Sequence, residues 1–188
     1  MEKIKETYKL QLAKFKAQKK NQRRLWNISE KCAELLFMLI QAKRPKRILE
    51  IGTSNGYSTF WLSLAAESCG AVIDTIEIDE SRFKLAKENL KELSNIVQHV
   101  GKAEFIIPEL NNKYDFVFID AGKIDYIIYL KLLLEKLKNN ALIVADNVIS
   151  HEDTVKEYLD FINSDLRFVS MTLPLEAGLE ISVFRRKV

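Results

Sequence analysis

Two short clusters carry much of the chemistry this sequence can offer. Ile119-Asp120-Ala121-Gly122-Lys123 and Ala145-Asp146-Asn147 each close a short apolar run. If those runs are neighbouring parallel strands, Asp120, Asp146 and Asn147 meet in one small region. Three oxygen-bearing side chains placed together suit a hard cation such as Mg²⁺, with waters or ligand oxygens completing its shell. An aspartate at a strand end is commonplace, so either cluster alone says little; the pair defines a candidate metal centre. The set does not choose between Mg²⁺ and Mn²⁺.

A second group of residues points to a nucleoside-bearing ligand. Glu50-Ile51-Gly52-Thr53-Ser54-Asn55-Gly56-Tyr57-Ser58 runs from a strand straight into a helix. Gly52 lets the backbone turn tightly and approach a ligand with no Cβ in the way. Gly56 and Ser58 open the helix, where free N–H groups and the positive dipole end favour a carboxylate or phosphate. The spacing is G-x-x-x-G, which departs from the dinucleotide pattern G-x-G-x-x-G. Glu77, at the end of the next strand, can accept hydrogen bonds from ribose hydroxyls, with Asp79 expected to cap the following helix. Gly101-Lys102-Ala103 forms another strand-to-helix turn, suited to framing an adenine ring.

The elements that must position these residues alternate regularly. After a helical prelude, strands are expected at Arg47–Ile51, Val72–Ile78, Ile96–Val100, Phe116–Ile119 and Ala141–Ala145. Helices are expected between them at Tyr57–Ser68, Glu80–Leu93, Ala103–Leu110 and Asp125–Leu137. A helix over Glu152–Asn163 precedes two final strands, Arg167–Thr172 and Leu179–Phe184. Short apolar runs without alternation suit strands covered on both faces. The order specifies an α/β, doubly wound, Rossmann-like fold: a seven-stranded, mostly parallel sheet, its last strand antiparallel, with helices on both faces. Ligands of such sheets bind beyond the carboxyl ends of the strands, where every residue named above lies. In the prelude, Ile4, Tyr8, Leu12 and Phe15 mark an amphipathic helix, and Ser29 caps a second one running to Gln41.

Composition sets outer bounds. The chain has 188 residues, 47% hydrophobic and 29% charged, which suits one structural domain. Residues 1–44 read as an N-terminal helical segment serving the substrate or a dimer, and residues 45–188 as the cofactor-binding domain. No apolar run reaches the ~20 residues of a membrane span, and the lysine-rich start lacks the apolar core of a secretory signal. A cytoplasmic protein with no membrane partner is expected. Cys32 and Cys69 are read as buried, reduced thiols. Residues 1–47 hold 14 Lys/Arg against 4 Asp/Glu, a basic arm that suits either a solvated helix face or a polyanion such as RNA.

The text LEIGTSNGYSTFWLSL, with VGKAEFIIPEL, FVFIDAGKIDY, LIVADNV and LPLEAGLEIS after it, resembles the metal-dependent class I S-adenosylmethionine O-methyltransferases, the catechol and caffeoyl-CoA O-methyltransferase family in its small bacterial form. The resemblance runs from about Ser29 to the C-terminus. It implies that Glu50, Gly52, Thr53 and Ser58 hold the methionine part of S-adenosylmethionine, Glu77 the ribose, and Gly101, Lys102 and Ala103 the adenine edge. It implies that Asp120, Asp146 and Asn147 bind the divalent metal, Asp120 also facing the cofactor and the reaction. Lys123 matches the family's catalytic lysine, placed to accept the proton of the acceptor hydroxyl. A homodimer is implied as well.

Three departures stand out. Lys102 takes a position where relatives often carry an acidic or small polar residue. Only Val148–His151 are expected between the Asp-Asn pair and the next helix, and Glu176-Ala177-Gly178 lacks an aspartate before the glycine. The last two predict an open acceptor pocket. Two acceptors compete: a small phenolic or vicinal-diol compound, and hydroxyuridine in tRNA. A non-catalytic cofactor-binding protein and a Rossmann oxidoreductase are the remaining alternatives, disfavoured by the full metal set and by the glycine spacing. His99 is expected to be structural; His151 either reaches the pocket or, the default, is a solvated loop residue; Tyr126 and Trp26 either line a pocket or, the default, pack in the core. Ser58 has no histidine partner for nucleophilic work.

Overall fold

The computed structural model describes residues 1–21 and 25–186. Arg23 and Arg24, two charges of the basic arm, lie outside the described residues, as do Lys187 and Val188. Three helices come first: α1 (Glu2–Thr7), α2 (Lys9–Asn21) and α3 (Glu30–Lys43). Then follow β1 (Arg47–Ile51), α4 (Tyr57–Glu67), β2 (Val72–Glu77), α5 (Glu80–Asn89), β3 (Ile96–Val100), α6 (Ala103–Glu109) and β4 (Tyr114–Ile119). The chain ends with α7 (Tyr126–Leu133), β5 (Leu137–Asp146), α8 (Lys156–Ser164), β6 (Phe168–Leu173) and β7 (Leu179–Phe184).

The seven strands form one sheet in the order β3-β2-β1-β4-β5-β7-β6. β1 pairs in parallel with β2 and β4, and β4 with β5. β7 is antiparallel to both β5 and β6. The carboxyl ends of β1, β2, β4 and β5 therefore open on one edge of the sheet, the arrangement the alternation predicts. Central strands are sealed on both sides: Ile48–Ile51 and Phe116–Ile119 are wholly buried, as continuous apolar runs require.

Two apolar layers hold the sheet. On one face α3 and α4 contribute Leu36, Ile40, Phe60 and Trp61. α4 is buried along its whole length from Tyr57 to Ala66, because it is pressed between the sheet and the N-terminal helices. Phe15 of α2 is fully buried in the same layer, with Ile4, Tyr8 and Leu12 packed beside it. The spacing of those four residues thus marks a real buried face. The opposite face is filled by α6, α7 and α8, where Tyr126 and Tyr158 meet edge to face at 5.8 Å. Cys32 and Cys69 are free and buried. Among the described residues no helix is long and apolar enough to cross a membrane.

Several element boundaries differ from those the sequence predicts. The first helix is two, broken at Tyr8, whose φ of −106° and ψ of 23° leave the helical range. α5 ends at Asn89 rather than Leu93, where Asn89 turns its amide into a buried polar contact described below. α7 ends at Leu133, and residues Leu137–Asn140 extend β5 instead of the helix. There Lys138 pairs with Asp115 at 3.0 Å, and Asn140, at φ 62°, accommodates a bulge in the β4–β5 pairing. α8 starts at Lys156, four residues later than expected. His151 donates to Asn147 O, and Thr154 and Val155 donate to His151 O, which folds residues 147–155 into consecutive turns. The connection after the Asp-Asn pair is correspondingly longer than Val148–His151.

Candidate functional site

One cavity of about 1210 Å³ opens over the carboxyl ends of the strands. Gly52, Thr53, Ser58, Glu77, Gly101, Lys102, Ala103, Asp120, Lys123, Asp146 and Asn147 all line it. Glu50 does not. Its carboxylate is fully buried beneath the floor, where Oε2 accepts from Thr59 Oγ1 at 2.5 Å and Thr75 Oγ1 at 2.7 Å. Thr75 in turn meets Thr53 Oγ1 at 2.6 Å. Glu50 thus anchors the glycine turn from below; alternation along β1 turns its side chain into the sheet face. Burial pushes its carboxyl up to about 7, although the Ser58, Thr59 and Thr75 hydroxyls pull the other way. Among the described residues, Glu50 Oε1 has no hydrogen-bond partner.

The turn itself is fixed by close packing. Gly52 sits at φ 104°, and a Cβ there would fall 2.1 Å from Asp120 O, so only glycine lets β1 and β4 end this near each other. Gly52 N donates to Ile76 O at 2.9 Å and Asp120 N to Ile51 O at 2.9 Å, tying three strand ends together. Glu77 is held on both oxygens. Ser54 N donates to Oε2 at 2.7 Å; Asp79 N and Arg82 Nη2 donate to Oε1, each at 2.9 Å. Asp79 caps α5 through the Ser81 and Arg82 amides, as expected.

Asp120, Asp146 and Asn147 converge at the ends of β4 and β5. Lys123 Nζ donates to Asp120 Oδ1 at 2.8 Å and to Tyr126 Oη at 3.0 Å. Tyr126 Oη lies 3.1 Å from Ile119 O and 3.0 Å from Asp146 O, so this core tyrosine ties the lysine to both strand ends. Burial, and then the charge of Asp120, push the Asp146 carboxyl up to about 6. Asn147 is held at φ 65°, a conformation that costs free energy in a residue with a Cβ and clusters at functional positions. Two carboxylates and an amide oxygen are hard donors, and the burden of two neighbouring negative charges is one a cation would relieve, so the residues fit a divalent ion. Among the described residues no group of three His, Cys, Asp or Glu side chains has metal-holding geometry; the third donor here is an amide.

The wall opposite the strands contains residues that motif reading passes over. Of the two places the sequence leaves open for Trp26, the cavity and not the core is the one it takes: the residue is 67% exposed and lines the cavity. Its position between two helices, in the polar stretch before the Ser29 cap, was the available signal. Arg82, Cys32 and Glu176 line the cavity too. Glu176 stands at φ 53° in the β6–β7 turn, which is locked to the Asp146 loop: Val148 N donates to Gly178 O, and Ile149 N and Ser150 N to Ala177 O, all at 3.0 Å. His151 is exposed on the rim, and His99 is structural, its Nε2 3.0 Å from the buried Asp74 carboxylate.

An α/β sheet of this strand order, with a glycine turn, a strand-end carboxylate and an acidic pair along one cavity, belongs to the Rossmann-like class of folds. The O-methyltransferase family model matches residues 3–183, and the chain belongs to that family. Catechol O-methyltransferase of Niastella koreensis is 38% identical over 130 residues, covering 65% of this chain but only 58% of that enzyme's length. The O-methyltransferase TomG from Streptomyces achromogenes, solved in complex with SAM, superposes with a TM-score of 0.79 at 26% identity, covering 85% of this chain and 82% of that one. An O-methyltransferase from Bacillus cereus, solved in complex with SAH, gives a TM-score of 0.80 over 98% of this chain and 91% of that one, at 22% identity.

Proposed function

We propose that this chain is an S-adenosylmethionine-dependent O-methyltransferase acting on a hydroxyl of a small phenolic or vicinal-diol compound, with a divalent cation, Mg²⁺ or Mn²⁺, held by Asp120, Asp146 and Asn147. The observation that carries this reading is the meeting, along one cavity, of the glycine turn and Glu77 with Asp120, Lys123, Asp146 and Asn147, in a chain of the O-methyltransferase family. When bound, the cation supplies the positive charge that favours the deprotonated form of the acceptor hydroxyl.

Each residue then has a definite task. Gly52, Thr53 and Ser58 bind the amino-acid part of the methyl donor, with Glu50 bracing that turn from below. Glu77 binds the ribose, and Gly101, Lys102 and Ala103 border the adenine. Lys123 Nζ, oriented by Tyr126 and Asp120, would take the acceptor's proton as the neutral amine, the form that the charge of a bound cation beside it would favour. Holding acceptor oxygen and methyl donor in one enclosed cavity supplies the proximity part of the rate enhancement. Residues 1–44 serve as the acceptor-side and dimer segment, and 45–188 as the cofactor domain. Exposed Met38, beside the partly buried Leu35, Phe37 and Leu39 on α3, is surface a homodimer would cover.

A second acceptor, hydroxyuridine in tRNA, is favoured by one specific observation: the excess of basic residues in 1–47, with Lys19 reaching the cavity wall. The test is transfer of labelled methyl from S-adenosylmethionine to a catechol panel and to undermodified bulk tRNA in parallel. Label in the small-molecule fraction supports the first acceptor, and label in RNA replaces it with the second. Label in neither fraction, with S-adenosylhomocysteine still bound, favours a non-catalytic cofactor-binding protein.

A further inference from the structure

A tryptophan that lines a cavity instead of the core offers a large flat surface to whatever occupies that cavity. Trp26 is such a residue, and it stands over a side chain that already serves the cavity. The Arg82 guanidinium carbon lies 5.6 Å from the Trp26 ring centroid. The same guanidinium pairs through Nη2 with Glu77 Oε1 at 2.9 Å. Arg82 Nε is buried, with no partner among the described residues. One face of the indole is thus engaged with a cation, and the exposed residue lines the same cavity as Ile78, Gly101 and Lys102.

The position of this pair in the sheet decides which half of the cavity it serves. Glu77 ends β2, whereas Asp146 ends β5, three strand spacings away in the order β2-β1-β4-β5. Three spacings amount to roughly 14 Å. Trp26 therefore belongs to the ribose end and not to the acidic pair.

The strap bearing Trp26 is anchored on the glycine turn as well. Gln18 of α2 exchanges amide hydrogen bonds with Asn89, Nε2 donating to Oδ1 at 3.0 Å and Oε1 accepting from Nδ2 at 2.9 Å. Gln18 Oε1 also accepts from Asn55 Nδ2 at 3.0 Å, and Asn89 Nδ2 lies 2.8 Å from Asn55 O. Lys19 Nζ donates to Asn27 O at 3.2 Å, tying α2 to the residue after Trp26. These contacts place α2 against the turn while Trp26 stays exposed.

We propose that Trp26 and Arg82 form a nucleoside clamp. The free surface of Trp26 covers the nucleoside of the bound cofactor, and Arg82 fixes both the indole above it and the Glu77 carboxylate that meets the ribose diol. This inference rests on S-adenosylmethionine being the cofactor. Planar aromatic and cationic surfaces of this kind favour a flat, electron-rich base.

The chain holds two tryptophans, and Trp61 is fully buried, so acrylamide quenching reports chiefly on Trp26. S-adenosylhomocysteine and 5′-methylthioadenosine, which keeps the nucleoside but lacks the amino acid, are titrated into wild-type, Trp26→Ala, Trp26→Phe and Arg82→Gln proteins by calorimetry. The clamp predicts that both ligands shield Trp26 from acrylamide. Trp26→Ala should weaken both ligands about tenfold and Trp26→Phe only a few-fold. Arg82→Gln should weaken both as well, and the ligand-free melting temperature of Trp26→Ala should stay at the wild-type value. Heat of binding with unchanged quenching would overturn the clamp while leaving the cofactor reading intact. A loss confined to S-adenosylhomocysteine would also overturn it, since Trp26 would then face the amino-acid end. No heat from wild-type protein with either ligand would overturn the cofactor reading itself, and the clamp with it.

Discussion

At the scale of single residues, the account turns on Lys123. Its Nζ is held by Asp120 and by Tyr126 Oη, whose oxygen also sits against the carbonyls of Ile119 and Asp146. A side chain held by two partners, one of them tied to both strand ends, is more than a surface lysine opening a helix, and its carboxylate partner is the one shared with the proposed cation. Lys123→Ala should lower kcat by about 10²–10⁴, the usual worth of a general base. S-adenosylhomocysteine affinity should change by less than about twofold, since the nucleoside residues are untouched. Lys123→Arg should not rescue turnover, because a guanidinium does not give up its proton. Equal loss of cofactor affinity in calorimetry would place Lys123 in the cofactor half instead. Asp146→Ala makes the complementary case: turnover abolished, with cofactor binding retained.

At the scale of elements, the site depends on turns that tie strand ends together. Gly178 is one: at φ 89°, an added Cβ would lie 2.3 Å from Ile149 Cγ1 and 2.7 Å from Ile149 N. Gly178→Ala should pry the β6–β7 hairpin from the loop after Asp146, costing about 2 kcal/mol or more in denaturant unfolding. Glu50 gives the second prediction. Its folded-state value of about 7 lies above the ordinary 4.5. Between those values the folded chain keeps a proton that the unfolded chain releases, so this group favours folding at the acid end and the advantage is lost as pH rises through 7. The full effect is on the order of 3 kcal/mol. Glu50→Gln should therefore flatten the decline in stability between pH 5 and pH 8, measured by urea unfolding. An unaltered pH profile would show that the carboxyl is ionised throughout.

What the sequence made legible, and what it hid, follows the same physics. The glycine turn, Glu77, Asp120 and the Asp-Asn pair were readable because strand ends in a parallel sheet must share one edge. The end of α7 was not, because apolar residues run on from Tyr126 to Leu134 and Leu137 without a glycine or proline to stop them. The inward side of Glu50 was hidden by the same uniformity: a strand buried on both faces shows no alternation from which to read direction. Trp26 was hidden because whether a lone aromatic faces a core or a cavity depends on how the preceding helix docks, here through Gln18, Asn55 and Asn89.

At the scale of the whole molecule, charge is unevenly spread, with the basic excess concentrated in the N-terminal segment and an acidic pair at the reactive end of the cavity. The segment is integral to the fold, since Phe15 is fully buried in the main apolar layer. Its lysines are therefore held with the fold, and Lys19 lines the cavity. If they hold RNA, binding should weaken steeply with added salt, in proportion to the phosphates contacted. A neutral diol should bind with little salt dependence, which fluorescence titration at two ionic strengths would separate.

The most direct measurement is labelled-methyl transfer from S-adenosylmethionine to its acceptor before EDTA, after EDTA, and after restoring excess Mg²⁺. The account predicts transfer that stops with the chelator, returns with the ion, and is absent throughout in Asp146→Ala. Transfer that persists undiminished in EDTA would contradict the assignment of Asp120, Asp146 and Asn147 as metal ligands, and with it the proposed chemistry.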